Sequence, residues 1–392
     1  MKKLIFGMGV TGTELARYMI RNGIAFDCFD NKKDRASLTQ SLANEDFRLF
    51  NDATEPDLAI YDALIVSPGP RQDHPLLVRA RQAGLAILAE VEYAFSRQKG
   101  KVVGITGSNG KSTTTSLVFH LLAGAGFKTS LCGNIGVPLI SRIDDDPNHI
   151  YVLELSSFQL ENVKSFRPDV ALLLNVCADH LDWHGGFEAY EAAKLRIFAQ
   201  QQAGDLAVVC DSYIHRLTGA ETRVAVPSAF AREEGEYLCV GDDFRLPASC
   251  IPVLGKHNRS NALFACVAAR HLGVSDKDAA RILPSFKGLA HRMEVVGTFE
   301  GRLWINDSKA TNVHAAQAAV DALSQPYVLI LGGSEKGERF HHLNLTGNPP
   351  KAIVAYGETA ATIAQDLAGY GIQEIPLFKD AVLRAHELAG EG

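Results

Sequence analysis

The chain has 392 residues, 46% of them hydrophobic and 21% charged, which is too long for one ordinary domain of roughly 100–200 residues and excludes disorder, collagen and coiled coil. Lys plus Arg number 39 against 45 Asp plus Glu, a net charge of −6, so nothing draws the chain generally to nucleic acid or an acidic membrane surface, and any phosphate binding must be local. Seven cysteines without a C-x-x-C pair argue against a disulfide framework or a cysteine zinc site and fit a reducing cytoplasm, while no apolar run approaches the roughly 20 residues of a membrane span and no signal-like leader opens the chain.

In chain order, Leu4–Phe6 reads as a strand, Thr11–Arg21 as a helix and Ile24–Phe29 as a strand; a later strand, Ala63–Val66, is closed by Ser67-Pro68-Gly69-Pro70. Short apolar runs alternating with amphipathic segments predict a parallel sheet covered by helices. A second unit opens on a strand at Lys101–Ile105, a glycine-rich loop and a helix from Ser112 to Leu122, with Tyr151–Leu155, Val170–Asn175 and Leu206–Cys210 as further buried strands. A third follows Gly288, with strands at Leu303–Ile305, Tyr327–Leu331 and Ala352–Ala355 and a helical pattern over Val313–Leu323. The expected fold is α/β, three units in series over 1–90, 91–288 and 289–392.

Gly7-Met8-Gly9-Val10-Thr11-Gly12 follows a strand and opens a helix, and Asp30 closes the next strand, where an acidic residue meets a ribose in dinucleotide folds. The motif serves equally a bound nucleotide or a turn that only lets helix and strand pack closely. Gly104-Ile105-Thr106-Gly107-Ser108-Asn109-Gly110-Lys111-Ser112-Thr113 is stronger. Its amides suit phosphates, Lys111 reaches as a point charge, and the Ser112 hydroxyl suits Mg²⁺. The spacing is G-x-x-G-x-x-G-K-S, since Ile105 stands where the common phosphate loop has its first glycine.

Glu154 lies at the end of a buried strand, where an unpaired carboxylate would cost several kcal/mol, so a cation or a salt bridge is expected beside it. Asn175–Asp182 places polar ligand types after another strand, at the end where open α/β sheets bind ligands. The spacing of His180 and His184 suggests zinc, but the oxygen-rich surroundings favour magnesium. Lys194, in Ala192-Ala193-Lys194-Leu195-Arg196, has the pattern of a surface lysine on a helix.

Together these motifs resemble the Mur ligase family, along essentially the whole chain. The resemblance rests on 104–113, Gly133-Asn134-Ile135-Gly136, Glu154–Leu160, Asp179–Asp182, Ala193-Lys194, His257–Ala262 and His291–Glu294, in family order, with Asp307–Asn312 similar to the D-glutamate-adding branch. It implies three domains: a Rossmann-like domain at 1–90 for a UDP-sugar, a central ATP-binding domain at 91–288 and a Rossmann-like domain at 289–392 for the acceptor amino acid.

The activity it implies is cytoplasmic, ATP-dependent joining of D-glutamate to UDP-N-acetylmuramoyl-L-alanine by a monomer, without nucleic acid or membrane insertion. Lys111, His180 and Lys194 would be catalytic. ATP would meet Gly107, Asn109, Gly110, Lys111, Ser112, Thr113, Asn258, Asn261, Arg292, Asp307 and Lys309. The UDP-substrate would lie on Gly9, Val10, Thr11, Gly12, Asp30, Ser67, Gly69, Asn134 and Gln159, and D-glutamate on Thr311 and Lys336. Two Mg²⁺ sites would draw on Ser112, Glu154, His180 and Lys194, the lysine as a carbamate. Family members continue past a helix like Ala381–Leu388 into a strand and loop that help hold D-glutamate, so the third domain is expected to be incomplete and ligation weak. Competing expectations are a nicotinamide oxidoreductase, which leaves 104–113 unexplained, a nucleotide-binding remnant without ligation, and a ligase for another amino acid.

Overall fold

The computed structural model describes residues 2–44, 46–217, 221–251, 255–334 and 339–390. The chain forms two compact units, one of Met1–Cys250 and Ser260–Pro284, the other of Ile251–Arg259 and Ser285–Gly392.

The first unit begins with a parallel sheet in the order Leu49–Phe50, Phe26–Phe29, Lys2–Phe6, Tyr61–Val66, Ala86–Ala89. Side chains alternate across a strand, so Leu4 and Phe6 enter one apolar cluster with Leu64 and Leu77, whereas Ile5 enters another with Met19 and Tyr93. Both faces are covered, which is why the run is apolar throughout rather than alternating. The second cluster continues into the next sheet through Leu139, Ile140, Tyr151 and Leu173, so the two sheets share one core.

That next sheet is also parallel, in the order Thr222–Val226, Leu206–Cys210, Val170–Leu173, Lys101–Thr106, Ile150–Glu154, Thr129–Gly133. Lys101–Thr106 is central, and the chain proceeds first to one side of it and then to the other. The loop after it therefore opens at the reversal of strand order, where such sheets bind ligands. A small antiparallel sheet of Ala231–Glu234, Tyr237–Val240 and Phe244–Pro247 follows.

Between the two parallel sheets runs the short helix Glu90–Phe95. Glu90 is buried and accepts the Ile140 amide at 3.0 Å. Glu92, also buried, accepts the amides of Lys164, Ser165 and Phe166 at 3.1, 2.8 and 2.9 Å and the Ser165 hydroxyl. Burial pushes the Glu90 carboxyl up to about 7, with the Ile140 amide opposing.

In the second unit Val328–Gly333, Ala352–Gly357 and Ile372–Ile375 form a parallel sheet with Ala352–Gly357 in the middle. Ile353 and Ala355 pack with Val320 and Ile363 on one face, Val354 with Ala381 and Ala385 on the other. The strand expected over Leu303–Ile305 exists as Arg302–Asn306, but it pairs antiparallel with Glu294–Phe299 rather than joining that sheet. The two-residue turn explains it: Glu300 and Gly301 both hold positive φ, 49° and 76°, the geometry that suits a tight hairpin. Among the described residues no helix is long and apolar enough to cross a membrane, and all seven cysteines are free thiols.

Candidate functional site

The loop after Lys101–Thr106 feeds the helix Lys111–Gly124. Gly110 caps that helix at φ 81°, the left-handed conformation that favours glycine, and a Cβ there would come within 2.5 Å of the Asn261 side-chain oxygen and push that side chain aside. Asn175 holds the loop from the neighbouring strand, accepting the Asn109 amide at 2.8 Å and donating to the Asn109 carbonyl at 3.1 Å. Ser112 and Thr113 are buried in the first helical turn, where the backbone amides of a helix start suit an anion.

Two lysines meet at this loop. Lys111 Nζ donates to the carbonyls of Gly107 and Ser108, each at 2.8 Å. Lys194 Nζ donates to the same Gly107 carbonyl, also at 2.8 Å. Lys194 is 1% exposed, so the surface position expected from its helical pattern is wrong. The helix Phe187–Leu195 turns this residue inward under the loop, with the ammonium 4.4 Å from the Tyr190 ring centre. Burial, and then the charge of Lys111, lower its pKa to about 6 against the pull of Asp179 and Cys177. Burial thus shifts Lys194 toward its neutral amine.

Glu154 ends its strand level with Ile105 and is 2% exposed. One carboxylate oxygen accepts the Asn134 side-chain amide at 2.7 Å. The other is buried without a hydrogen-bond partner. Among the described residues no salt bridge offsets the carboxylate, and a bare buried oxygen beside a phosphate-type loop fits a divalent cation. Among the described residues no three His, Cys, Asp or Glu side chains converge to hold a metal, as a set of one hydroxyl, one carboxylate, one imidazole and one lysine would not.

His180 caps the short helix Leu181–His184 with left-handed backbone, φ 53°, and its imidazole stands 3.5 Å from Asp179 and 5.0 Å, centre to centre, from the Phe158 ring. His184 turns inward instead, 2.9 Å from the Ser157 hydroxyl and stacked on Phe158. Burial first, then the charges of Lys194, His180 and Arg196, push it down to about 4.

In the N-terminal sheet, Gly7 and Gly12 form the turn onto helix Val10–Arg21, and a Cβ on Gly12 would lie 2.0 Å from the Gly7 carbonyl oxygen. Ser67 donates to that carbonyl at 2.7 Å. Asp30 accepts the Met8 amide at 2.6 Å and the amides of Lys32 and Lys33 at 2.7 and 3.0 Å. Gly9 faces open space where a side chain would project, and Val10 is exposed. Gln159 closes a capping box with Ser156, and Asn134 is held by Glu154.

In the second unit, His291–Glu294 returns along the open end of the hairpin. The Asp307 carboxylate accepts the Met293 amide at 2.9 Å, and the Lys309 amide reaches the His291 carbonyl at 3.2 Å, which gathers Arg292, Asp307 and Lys309 at one end of that hairpin. Burial raises the Asp307 pKa, with the Met293 amide and Arg292 opposing. Asn258 is buried and belongs to this unit, while Asn261, on the same helix, belongs to the first. Thr311 is exposed just before the Asn312 cap of helix Val313–Asp321. Lys336 lies outside the described residues.

Tyr190 escaped the sequence reading. Its hydroxyl is 2.8 Å from Ser108 Oγ while its ring lies against Lys194. Its place four residues before that lysine, on one helix face, is the signal that could have found it.

Three family models match the chain: the Mur ligase MurD-like N-terminal domain over residues 1–89, the Mur ligase middle domain over 105–269 and the Mur ligase glutamate ligase domain over 291–392. The chain is 35% identical over 417 residues to "UDP-N-acetylmuramoylalanine--D-glutamate ligase" of Alkaliphilus metalliredigens, covering 100% of this chain and 91% of that protein. It is 38% identical over 386 residues to the protein of that name from Legionella pneumophila strain Paris, covering 93% and 86%. Among solved structures it resembles MurF from Acinetobacter baumannii, with TM-score 0.62 and 20% identity over 93% of this chain and 84% of that one. MurF from Thermotoga maritima in complex with ADP matches with TM-score 0.58 and 18% identity over 94% and 96%. At such identities the structures attest the fold.

Proposed function

The chain belongs to the Mur ligase family, and on that premise we propose that it is the ATP-dependent ligase that adds D-glutamate to UDP-N-acetylmuramoyl-L-alanine in peptidoglycan precursor synthesis. The relatives at 33–38% identity carry that name over nearly the whole chain. The observation that carries the chemistry is the meeting of Lys111 and Lys194 at the Gly107 carbonyl, with the unpartnered oxygen of Glu154 on the adjoining strand.

In this reading the alanyl carboxylate attacks the γ-phosphorus of ATP, the bond to the β,γ-bridging oxygen breaks, and ADP leaves behind an acyl phosphate. The D-glutamate amine then attacks the acyl carbon, loses a proton, and expels inorganic phosphate. Lys111 exchanges its two carbonyl partners for phosphate oxygens and offsets the charge gathering on the transferred group. The amides of Gly107–Thr113 and the side chain of Asn261 seat the nucleotide, and Asn258, Arg292, Asp307 and Lys309 are its proposed contacts from the second unit. Ser112, Glu154, His180 and Lys194 would hold two Mg²⁺ ions, which when bound polarise the phosphoryl oxygens. Lys194 serves there once its neutral amine has added CO₂ and released a proton, giving a carbamate, and its burial favours that amine.

The UDP-substrate rests on Gly9–Gly12, Asp30, Ser67, Gly69, Asn134 and Gln159, and D-glutamate on Thr311 and Lys336. The domains of this reading are 1–90, 91–288 and 289–392, in a cytoplasmic monomer. A panel of L- and D-amino acids, assayed for ADP release and for the ligated product, tests it. D-glutamate alone should give both. Product with another amino acid reassigns the acceptor, and ATP binding without product with any of them rejects the ligase.

A further inference from the structure

Two hydrogen bonds fasten the loop after Tyr61–Val66 to the segment that carries His180, one in each direction. The Trp183 indole N–H donates to the Gly69 carbonyl at 3.1 Å. Arg71 donates in return to the Asp182 carbonyl at 3.2 Å. The Trp183 ring is also wedged edge-on against Phe158 and His184, at centroid distances of 4.7 and 4.5 Å. Phe158 in turn lies 5.0 Å from the His180 ring. The reaction as described uses neither Trp183 nor Arg71, yet the indole touches both the loop proposed for the UDP-substrate and the ring beside the proposed metal ligand.

We infer that Trp183, assisted by Arg71, is a positioning residue that ties the Ser67–Gly69 loop to His180, so that the UDP-substrate and a divalent metal each tighten the binding of the other. This rests on the proposed roles of Ser67, Gly69 and His180. A ligand that orders one end of such a clasp spares the second ligand the same ordering, and the gain is reciprocal.

Calorimetry on the full chain, without ATP, tests the inference. The affinity for UDP-N-acetylmuramoyl-L-alanine is measured with and without Mg²⁺ in the parent, in Trp183→Phe, which keeps a ring but loses the N–H, and in Arg71→Ala. Mg²⁺ should tighten binding about fivefold or more in the parent and less than about twofold in either variant. In steady state, KM for the UDP-substrate and the half-saturating Mg²⁺ concentration should rise together by about three- to tenfold, with KM for ATP and the saturated kcat held. Arg71→Lys, which keeps a donor, should recover part of the loss. A parent that binds the UDP-substrate but shows no Mg²⁺ effect, or variants that keep the parent's ratio, overturn the clasp alone. A parent that fails to bind the UDP-substrate at all overturns the reading of the loop together with the clasp.

Discussion

The chain builds the same local device twice, a buried parallel strand, a glycine turn and a helix, and furnishes the two differently. At Gly7–Gly12 helix and turn are in contact, with no room for a Cβ at Gly12. An Asp30 carboxylate has already taken one turn amide. At Gly104–Ser112 the turn is longer, Asn175 holds it from the side, and two lysines reach its carbonyls. The first turn is tight and carries an acidic residue on its Met8 amide, which suits it to accept hydroxyls of a ligand. The second keeps amides and cations ready for phosphates. What distinguishes the two glycine turns is the charge set beside each: Asp30 at the first, and Lys111 from within the loop with Lys194 from a distant helix at the second.

The sharpest test of that contrast is Lys111→Ala, expected to lower kcat by about 10²–10³-fold with the melting temperature unchanged. Near-normal ligation would refute the role of the second turn. Lys194→Ala should cost about 10–100-fold, and acetate, supplying a small carboxylate, should restore part of the rate where bicarbonate does not. An unmodified Lys194 in the mass spectrum of active enzyme would exclude the carbamate.

Gly12→Ala attacks the first turn and should destabilise the fold by about 1–3 kcal/mol, seen in urea unfolding. It should also weaken UDP-substrate binding while ATP affinity stays, and equal losses for both ligands would dissolve the distinction between the turns. The smallest effect is expected between the two regions, at Glu90. Its carboxyl titrates near pH 7 when folded against 4.5 as its ordinary value. The folded state therefore holds the extra proton between those values, and stability falls as pH rises through that window and levels off above it. Glu90→Gln should flatten the slope and leave the variant the more stable at pH 8, and a parent-like slope in the variant would show that another group sets it.

Much of this could be read from the sequence because it is local. A strand, spaced glycines, a lysine and hydroxyls announce the second turn within ten residues, and apolar runs such as Val170–Leu173 announce buried parallel strands. Lys194 could not be read so, because its helical neighbourhood resembles any amphipathic surface and only the fold brings Gly107 over it. The hairpin of Glu294–Phe299 and Arg302–Asn306 hid for a related reason: Glu300-Gly301 is a turn signal, but which strand a short apolar run joins depends on the rest of the unit. The small sheet from Ala231 to Pro247 was legible in principle, since Gly235 and Gly241 both take positive φ between its strands.

The helix Glu90–Phe95 sets a limit on how such enzymes are recombined. Its two carboxylates are satisfied by amides from Ile140 and from Lys164–Phe166, and the apolar cluster around Met19 and Tyr93 runs unbroken into the next sheet. A chimera cut just after this helix would part its acceptors from their donors and halve the core. The first sheet is not a cartridge that slots into another ligase; its exchangeable piece is the sheet, the helix and both receiving loops, carried together.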